Sequence, residues 1–321
     1  MKKTKRNTKR KTNNYGWKAS KMRKAVRFAL NRQVSQRTIG YQTKRDQVGR
    51  FGQFEIWVKE RGVGRLEYVT RELVIEYGRE LAARVDAGEL KPATAQNLLS
   101  AVNTSMKAAS RGQWRSVSPT RECGIASRSQ VRKVPPPELA QARAAIAELE
   151  QHDSRGAAIA ALALEFGLRS KEASLINAKA LLKQARAQER VTISKGTKGG
   201  RARKVPIMKP EHMKALELAA EVQGRDRSLI PSDKTWAQWR NSDLRKIREA
   251  IADRLGCRGL QDLRSSYAVN RYQDLTGKPA PVVAGGRQTD RETDREARQV
   301  ITEELGHGRT DVLASYVGGV K

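Results

Sequence analysis

Apolar residues recur at helical spacing through much of the first hundred residues. Val48, Phe51, Phe54 and Val58 form one stripe, Leu73, Tyr77 and Leu81 a second, and Ala95, Leu98, Val102 and Met106 a third. Side chains three and four positions apart share a helix face, so each stripe reads as the buried side of an amphipathic helix. Ser35 and Thr70 stand where N-caps are expected. Lys91-Pro92-Ala93-Thr94 reads as a helix start, because proline's missing N–H costs nothing in the first turn. Residues 20–111 are therefore expected to form a small helical bundle with basic residues on its polar faces.

Periodicity fades over residues 113–137, which end in Pro135-Pro136-Pro137. Three prolines stiffen an extended connection and block helix continuation. Helical patterns resume at residues 139–149 and 156–166. The β-branched stretches 191–193 and 205–207 flank Lys195-Gly196-Thr197-Lys198-Gly199-Gly200, which predicts a β-hairpin. Further helices are expected over 211–222, 235–255, 260–275 and 295–304, with a last short one over 311–316. Residues 277–295 read as a polar loop, a solvated excursion or marginal helix carrying the near-repeat Thr289-Asp290-Arg291-Glu292, Thr293-Asp294-Arg295-Glu296. The class is mainly α with a small antiparallel β-sheet (α+β). The expected divisions are a basic disordered arm (1–13), a helical domain (14–125), a linker (126–137) and a mixed domain (138–321).

Charge changes the picture. The net charge is +30, and the excess is uneven: residues 1–135 hold 31 Lys and Arg against 10 Asp and Glu. Such an imbalance points to a polyanionic partner, nucleic acid being the commonest. Residues 1–13 alone carry seven Lys/Arg, Lys2, Lys3, Lys5 and Arg6 among them, and no acid. A ribosomal or nucleoid protein would share this composition. Cys123 and Cys257 are the only cysteines, and His152, His212 and His307 are scattered. Neither a disulfide framework nor a metal-ligand cluster is expected, nor any cofactor. With no apolar run of membrane-spanning length and no signal-peptide core, a cytoplasmic, nucleoid-associated protein without membrane contact is expected.

The candidate chemistry lies in four short segments. They are Gly167-Leu168-Arg169 with Glu172 three residues on, Ser194-Lys195-Gly196 in the hairpin, Asp262-Leu263-Arg264, and Leu305-Gly306-His307 with Tyr316 nine positions later. Taken singly, each has an ordinary reading: a helix-surface arginine, a hairpin lysine, a helix-terminal histidine, a packing tyrosine. In this order and local context they resemble the tyrosine recombinase (phage integrase) family.

The resemblance implies an N-terminal helical SAM-like core-binding domain and a tyrosine-recombinase catalytic domain, clasping a duplex as a C-shaped clamp. It implies site-specific strand exchange on double-stranded DNA core sites through a 3′-phosphotyrosine intermediate and a Holliday junction. Four protomers would assemble on two DNA segments, with accessory DNA-bending or directionality proteins as possible partners. Integration or excision of a mobile element is the expected setting.

The roles implied by the resemblance fit the chemistry. Arg169 and Arg264 would hydrogen-bond the non-bridging phosphate oxygens while keeping their charge. Tyr316 would be the nucleophile, Lys195 the general acid, His307 a phosphate hydrogen-bond partner, and Glu172 the support of Arg169. Lys198 is a second candidate for the acid, while Lys198, Arg201 and Arg203 otherwise read as phosphate contacts or a solvated hairpin face. Gln261 is a departure, since the family commonly has His or Lys there. Glutamine donates a hydrogen bond but exchanges no proton near neutral pH. A catalytically impaired, architectural or regulatory DNA-binding relative is the alternative reading.

Overall fold

The computed structural model describes residues 13–319 and divides the chain into two compact units, residues 1–129 and 130–321. The expected basic arm, with Lys2, Lys3, Lys5 and Arg6, lies outside the described residues.

Among the described residues, the first unit is a bundle of four α-helices: α1 (Met22–Ser35), α2 (Tyr41–Glu60), α3 (Arg71–Asp86) and α4 (Pro92–Ala109). The three apolar stripes meet in one core with Met22, Val26 and Leu30 of α1, and Phe54 lies 5.2 Å from Tyr77, edge to face. Thr70 caps α3 by accepting from the Leu73 N–H, and Pro92 opens α4. Ser35 does not cap α2. It is the last residue of α1, its hydroxyl bonded back to the Asn31 carbonyl, and Gly40 precedes α2 instead. Val117, Cys123 and Ile125 close the core from the non-helical segment after α4.

The second unit is helical except for one hairpin. Its elements are α5 (Leu139–Glu150), α6 (Ser154–Phe166), α7 (Ser170–Leu175), α8 (Ala178–Gln188), β1 (Arg190–Ile193), β2 (Arg203–Pro206) and α9 (Pro210–Gln223). They are followed by α10 (Trp236–Asn241), α11 (Asp243–Leu255), α12 (Leu260–Thr276), α13 (Pro281–Ala284), α14 (Arg291–Glu304) and α15 (Ala314–Val317). The antiparallel pair β1–β2 aligns Val191 with Val205 and Ile193 with Arg203. Helix α6 is buried on every side from Gly156 to Phe166, as its Ala- and Leu-rich sequence requires, and packs against α5, α9 and α12. No helix among the described residues is long and apolar enough to cross a membrane.

Two local expectations are revised by the structure. Residues 235–255 form two helices rather than one, broken at Ser242, whose hydroxyl donates to the Gln238 carbonyl and to Asp243. Helix α8 turns Ala178, Leu181, Leu182 and Ala185 toward the core, and Asn177 caps it by accepting from the Ala180 N–H. Finally, of residues 289–296, expected as a solvated excursion or a marginal helix, 291–296 form the first turns of α14. Asp290 caps α14 through the N–H groups of Glu292 and Thr293, and Asp294 is buried, accepting from the Tyr272 hydroxyl at 2.7 Å and from Arg298. The charges that suggested solvent are partly an internal hydrogen-bonded network.

Candidate active site

The first arginine is delivered by a helix that must end abruptly. Gly167 terminates α6 with φ +58°, and a Cβ there would lie 2.7 Å from both Leu305 Cδ2 and Tyr267 Cδ1. Both the backbone conformation and the space demand glycine. The chain turns, buries Leu168, and makes Arg169 the N-cap of α7. The Arg169 N–H then donates to Glu172 Oε2 at 2.7 Å, while its Nη1 donates to Oε1 at 2.8 Å.

Glu172 is fully buried and serves more than Arg169. Arg203 of β2 grips the same carboxylate with both terminal nitrogens, at 2.9 and 2.8 Å, and donates Nε to the Glu304 carbonyl at 2.6 Å. Arg264 Nη1 stands 3.8 Å from Glu172 Oε2. Burial alone would raise the Glu172 pKa. The Arg203 hydrogen bonds and charge, with the Arg169 N–H and Arg264 charge, outweigh it and hold the carboxyl below its ordinary value. Three guanidiniums surround one carboxylate, leaving a surplus of two positive charges.

Arg264 projects from the first turns of α12 and is fully enclosed. Its Nη1 donates to the Gly167 carbonyl, its Nη2 to the Leu305 carbonyl at 2.7 Å, and its Nε to the Tyr316 hydroxyl at 3.3 Å. Burial pulls this guanidinium down to about 10, still charged at neutral pH. Arg264 Nη2 also lies 3.3 Å from His307 Nε2. Arginine only donates, so Nε2 presents its lone pair and the imidazole proton belongs on Nδ1. Burial, then the charges of Arg264, Arg169, Arg203 and Lys198, push His307 down to about 4, so its ring is neutral.

Tyr316 on α15 is 5% exposed, and its ring centroid sits 5.4 Å from that of His307. Its hydroxyl also receives Gln261 Nε2 at 3.4 Å. Burial pushes the phenol up. Arg264, by charge and hydrogen bond, and then Gln261 outweigh it, and the net shift is downward. Arg169, Glu172, Gln261, Arg264, His307 and Tyr316 are thus brought together. Arg169, with its side chain 22% exposed, is the more open of the two site arginines.

The hairpin residues divide. Lys195, Lys198 and Arg201 are exposed. Gly196 beside Lys195 is pinned, since a Cβ there would meet the Lys171 carbonyl oxygen at 2.9 Å. Lys198 lies nearer the tip, yet its charge reaches His307, and the Arg201 guanidinium covers Gly308. Arg203 corrects the expectation of a surface phosphate contact, because it is buried against Glu172. Strand alternation carried the signal: Arg203 lies on the inward face with Val205 and opposite Ile193.

The model of the family described as Integrase matches residues 126–270. The fold of the whole chain is similar to that of a lambda integrase dimer bound to a COC′ core site, at 15% identity over 92% of this chain and 77% of that one, with a TM-score of 0.56. Residues 126–270 are thus similar to the Integrase family, and the chain shares the fold of that integrase. Two further structures resemble this chain. The Tn1549 transposon integrase with transposon right end DNA is 13% identical over 92% of this chain and 95% of that one, TM-score 0.57. The XerH recombinase bound to a palindromic difH substrate is 16% identical over 92% and 90%, TM-score 0.59. At these identities the likeness is one of fold. No curated protein sequence matches the chain.

Proposed function

We propose that this chain is a tyrosine recombinase that cleaves and rejoins double-stranded DNA through a 3′-phosphotyrosine at Tyr316. The observation that carries the reading is the Tyr316 hydroxyl, held by Arg264 and Gln261 beside a cluster with two surplus positive charges. Attack on phosphorus builds charge on the non-bridging oxygens, and fixed guanidiniums stabilise charge that appears only then. Tyr316 Oη forms the new bond to phosphorus while the bond to the 5′ oxygen breaks. The phenol proton passes to His307 Nε2, whose lone pair is already turned into the site. An arriving phosphodiester offsets the guanidinium charges that depress this ring and makes it the better base. Lys195 gives its proton to the departing 5′ oxygen, a role supported by the pinned Gly196. Rejoining is the reverse, with the 5′ hydroxyl attacking the phosphotyrosine.

The proposed setting is strand exchange through a Holliday junction by four protomers on two core sites, integrating or excising a mobile element. The basic first unit would supply phosphate contacts. The similar lambda, Tn1549 and XerH structures all contain DNA, which supports that partner.

Incubation with a nicked suicide substrate followed by denaturing electrophoresis tests the chemistry. The wild type is expected to give a covalent protein–DNA band and Tyr316→Phe none. A band persisting in the phenylalanine protein would assign the nucleophile elsewhere. Gln261, which cannot exchange a proton, and the full enclosure of Arg264 favour a second reading, a DNA-binding relative without strand cleavage. It predicts sequence-specific binding with no covalent band from the wild type.

A further inference from the structure

Residues 130–137 have no regular secondary structure, yet they are bonded into the second unit at both ends of the candidate reacting assembly. We infer that Arg132 is a positioning residue that sets the Tyr316 segment against the start of α12. The geometry is a two-way bridge. The Arg132 backbone N–H donates to the carbonyl of Ala314, two residues before Tyr316, at 2.9 Å. Its guanidinium Nη1 donates to Asp262 Oδ1 at 2.7 Å and to Ser265 Oγ at 3.1 Å. Asp262 lies between Gln261 and Leu263, two residues before Arg264, and the Ser265 hydroxyl donates back to the Gln261 carbonyl. One residue thus joins the backbone of the nucleophile's helix to the helix that carries both donors to its hydroxyl.

The bridge is rigid. Arg132 Nε donates to the Val134 carbonyl at 2.6 Å, closing the strap on itself, and Ser266 Oγ donates to the Pro137 carbonyl at 2.6 Å. The prolines between remove backbone freedom that would otherwise loosen it. The Arg132 and Asp262 side chains are 7% and 5% exposed, and Asp262 is further held by the Arg258 N–H and guanidinium. A buried ion pair of this kind is weak evidence for stability, because desolvation offsets much of the attraction. Here its distinguishing property is what its two ends touch. Tyr316 Oη must stay within reach of Arg264 Nε and Gln261 Nε2, now 3.3 and 3.4 Å away.

The inference rests on the transesterification reading, and one set of measurements separates the two. Covalent-adduct formation on the suicide substrate is followed in single turnover for the full-length wild type, Arg132→Gln, Arg132→Lys and Asp262→Asn. DNA affinity, the folded fraction and the pH profile are measured alongside. Arg132→Gln is expected to slow adduct formation about 10- to 100-fold, the scale on which small misplacements act, with affinity unchanged. The limb of its profile that rises with pH should move to higher pH, because a displaced Tyr316 loses the donors that lower its phenol. Arg132→Lys, which keeps the charge and the backbone bond, should fall between. Asp262→Asn added to Arg132→Gln should cost less than the two separate losses combined.

An ordinary structural ion pair gives a different result: a lower unfolding midpoint, with the rate per folded, DNA-bound molecule and the pH limb unmoved. That result overturns the inference. If Arg132→Gln does not fold, the lysine variant decides by the same criteria. Absence of an adduct from the wild type removes the transesterification reading and this inference with it.

Discussion

The Glu172 cluster and the hairpin loop meet at the same site and are built on opposite terms. In the cluster, Arg169, Arg203 and Arg264 are fixed by a fully buried carboxylate and by the carbonyls of Gly167, Glu304 and Leu305. In the loop, Lys195 and Lys198 are exposed between two short strands, with a close backbone contact at Gly196. Groups that stabilise charge work best when they need no reorganisation. A lysine that delivers a proton must instead stay solvated enough to remain protonated and free enough to follow a leaving group. On the proposed reading, the rigid region stabilises charge and the exposed one delivers the proton.

The largest effect is expected from breaking the rigid side. Glu172→Ala leaves Arg203 and Arg264 buried without their counter-charge, which should cost about 3–5 kcal/mol of stability. Denaturant unfolding of the full chain measures it, and cleavage should be lost even under conditions where the protein stays folded. A loss below about 1 kcal/mol, the usual scale of a surface pair, would mean that the carboxylate is not the organiser of the cluster.

The loop should behave in the opposite way. Lys195→Ala should leave the unfolding midpoint unchanged and slow cleavage about 10²- to 10⁴-fold, the usual contribution of a general acid. A substrate with sulfur at the bridging 5′ position should restore its rate, since a thiolate, with a thiol pKa of about 8.5, leaves without a proton. Lys198→Ala should be mildly impaired on both substrates. Rescue of Lys198→Ala in place of Lys195→Ala would exchange the two roles, a result for which the influence of Lys198 on His307 gives a physical route.

The smallest effect sharpens the comparison at the boundary between the two regions. His307 has its folded pKa depressed to about 4 from an ordinary 6.5. The unfolded chain therefore binds this proton first, so stability present above pH 6.5 is lost as the pH falls toward 4. Allowing for solvent screening of a partly exposed ring, the loss should be about 1–2 kcal/mol across that window. His307→Asn should flatten the stability profile between those limits. The steeper acid loss expected from Glu172 and Asp262, both depressed carboxyls, should remain at lower pH. An identical profile in the asparagine protein would mean that the ring is not held neutral by the cluster.

Much of this was legible before any coordinates. The apolar stripes of α2, α3 and α4 mark their buried faces because helical periodicity is a local property of neighbouring residues. Gly167-Leu168-Arg169 and Leu305-Gly306-His307 were legible because residue type and spacing are themselves the signature of a turn followed by a functional side chain. Arg203 was misread. Its strand alternation pointed inward, but an arginine near a glycine-rich tip also fits a solvated surface, and only the position of Glu172 decides between them. Arg132 carried no signal of its own, being one basic residue in a proline-rich stretch. The acidic and basic alternation at residues 289–296 likewise looked solvated until Tyr272 and Arg298 supplied partners for Asp294.

What the sequence determined by itself was the principal core helices of both units, the hairpin, the excess of positive charge and the ordered appearance of Arg169, Lys195, Arg264, His307 and Tyr316. The tertiary structure decided which charges are buried and with whom. It brought Arg203 and Arg264 to Glu172 across 31 and 92 residues of chain, Gln261 to Tyr316 across 55, and Arg132 to Asp262 across 130. The physical reason is that a side chain's helical or strand preference is set by its near neighbours. The cost of burying a charge is set by whatever the fold places against it, and that partner can come from anywhere in the chain.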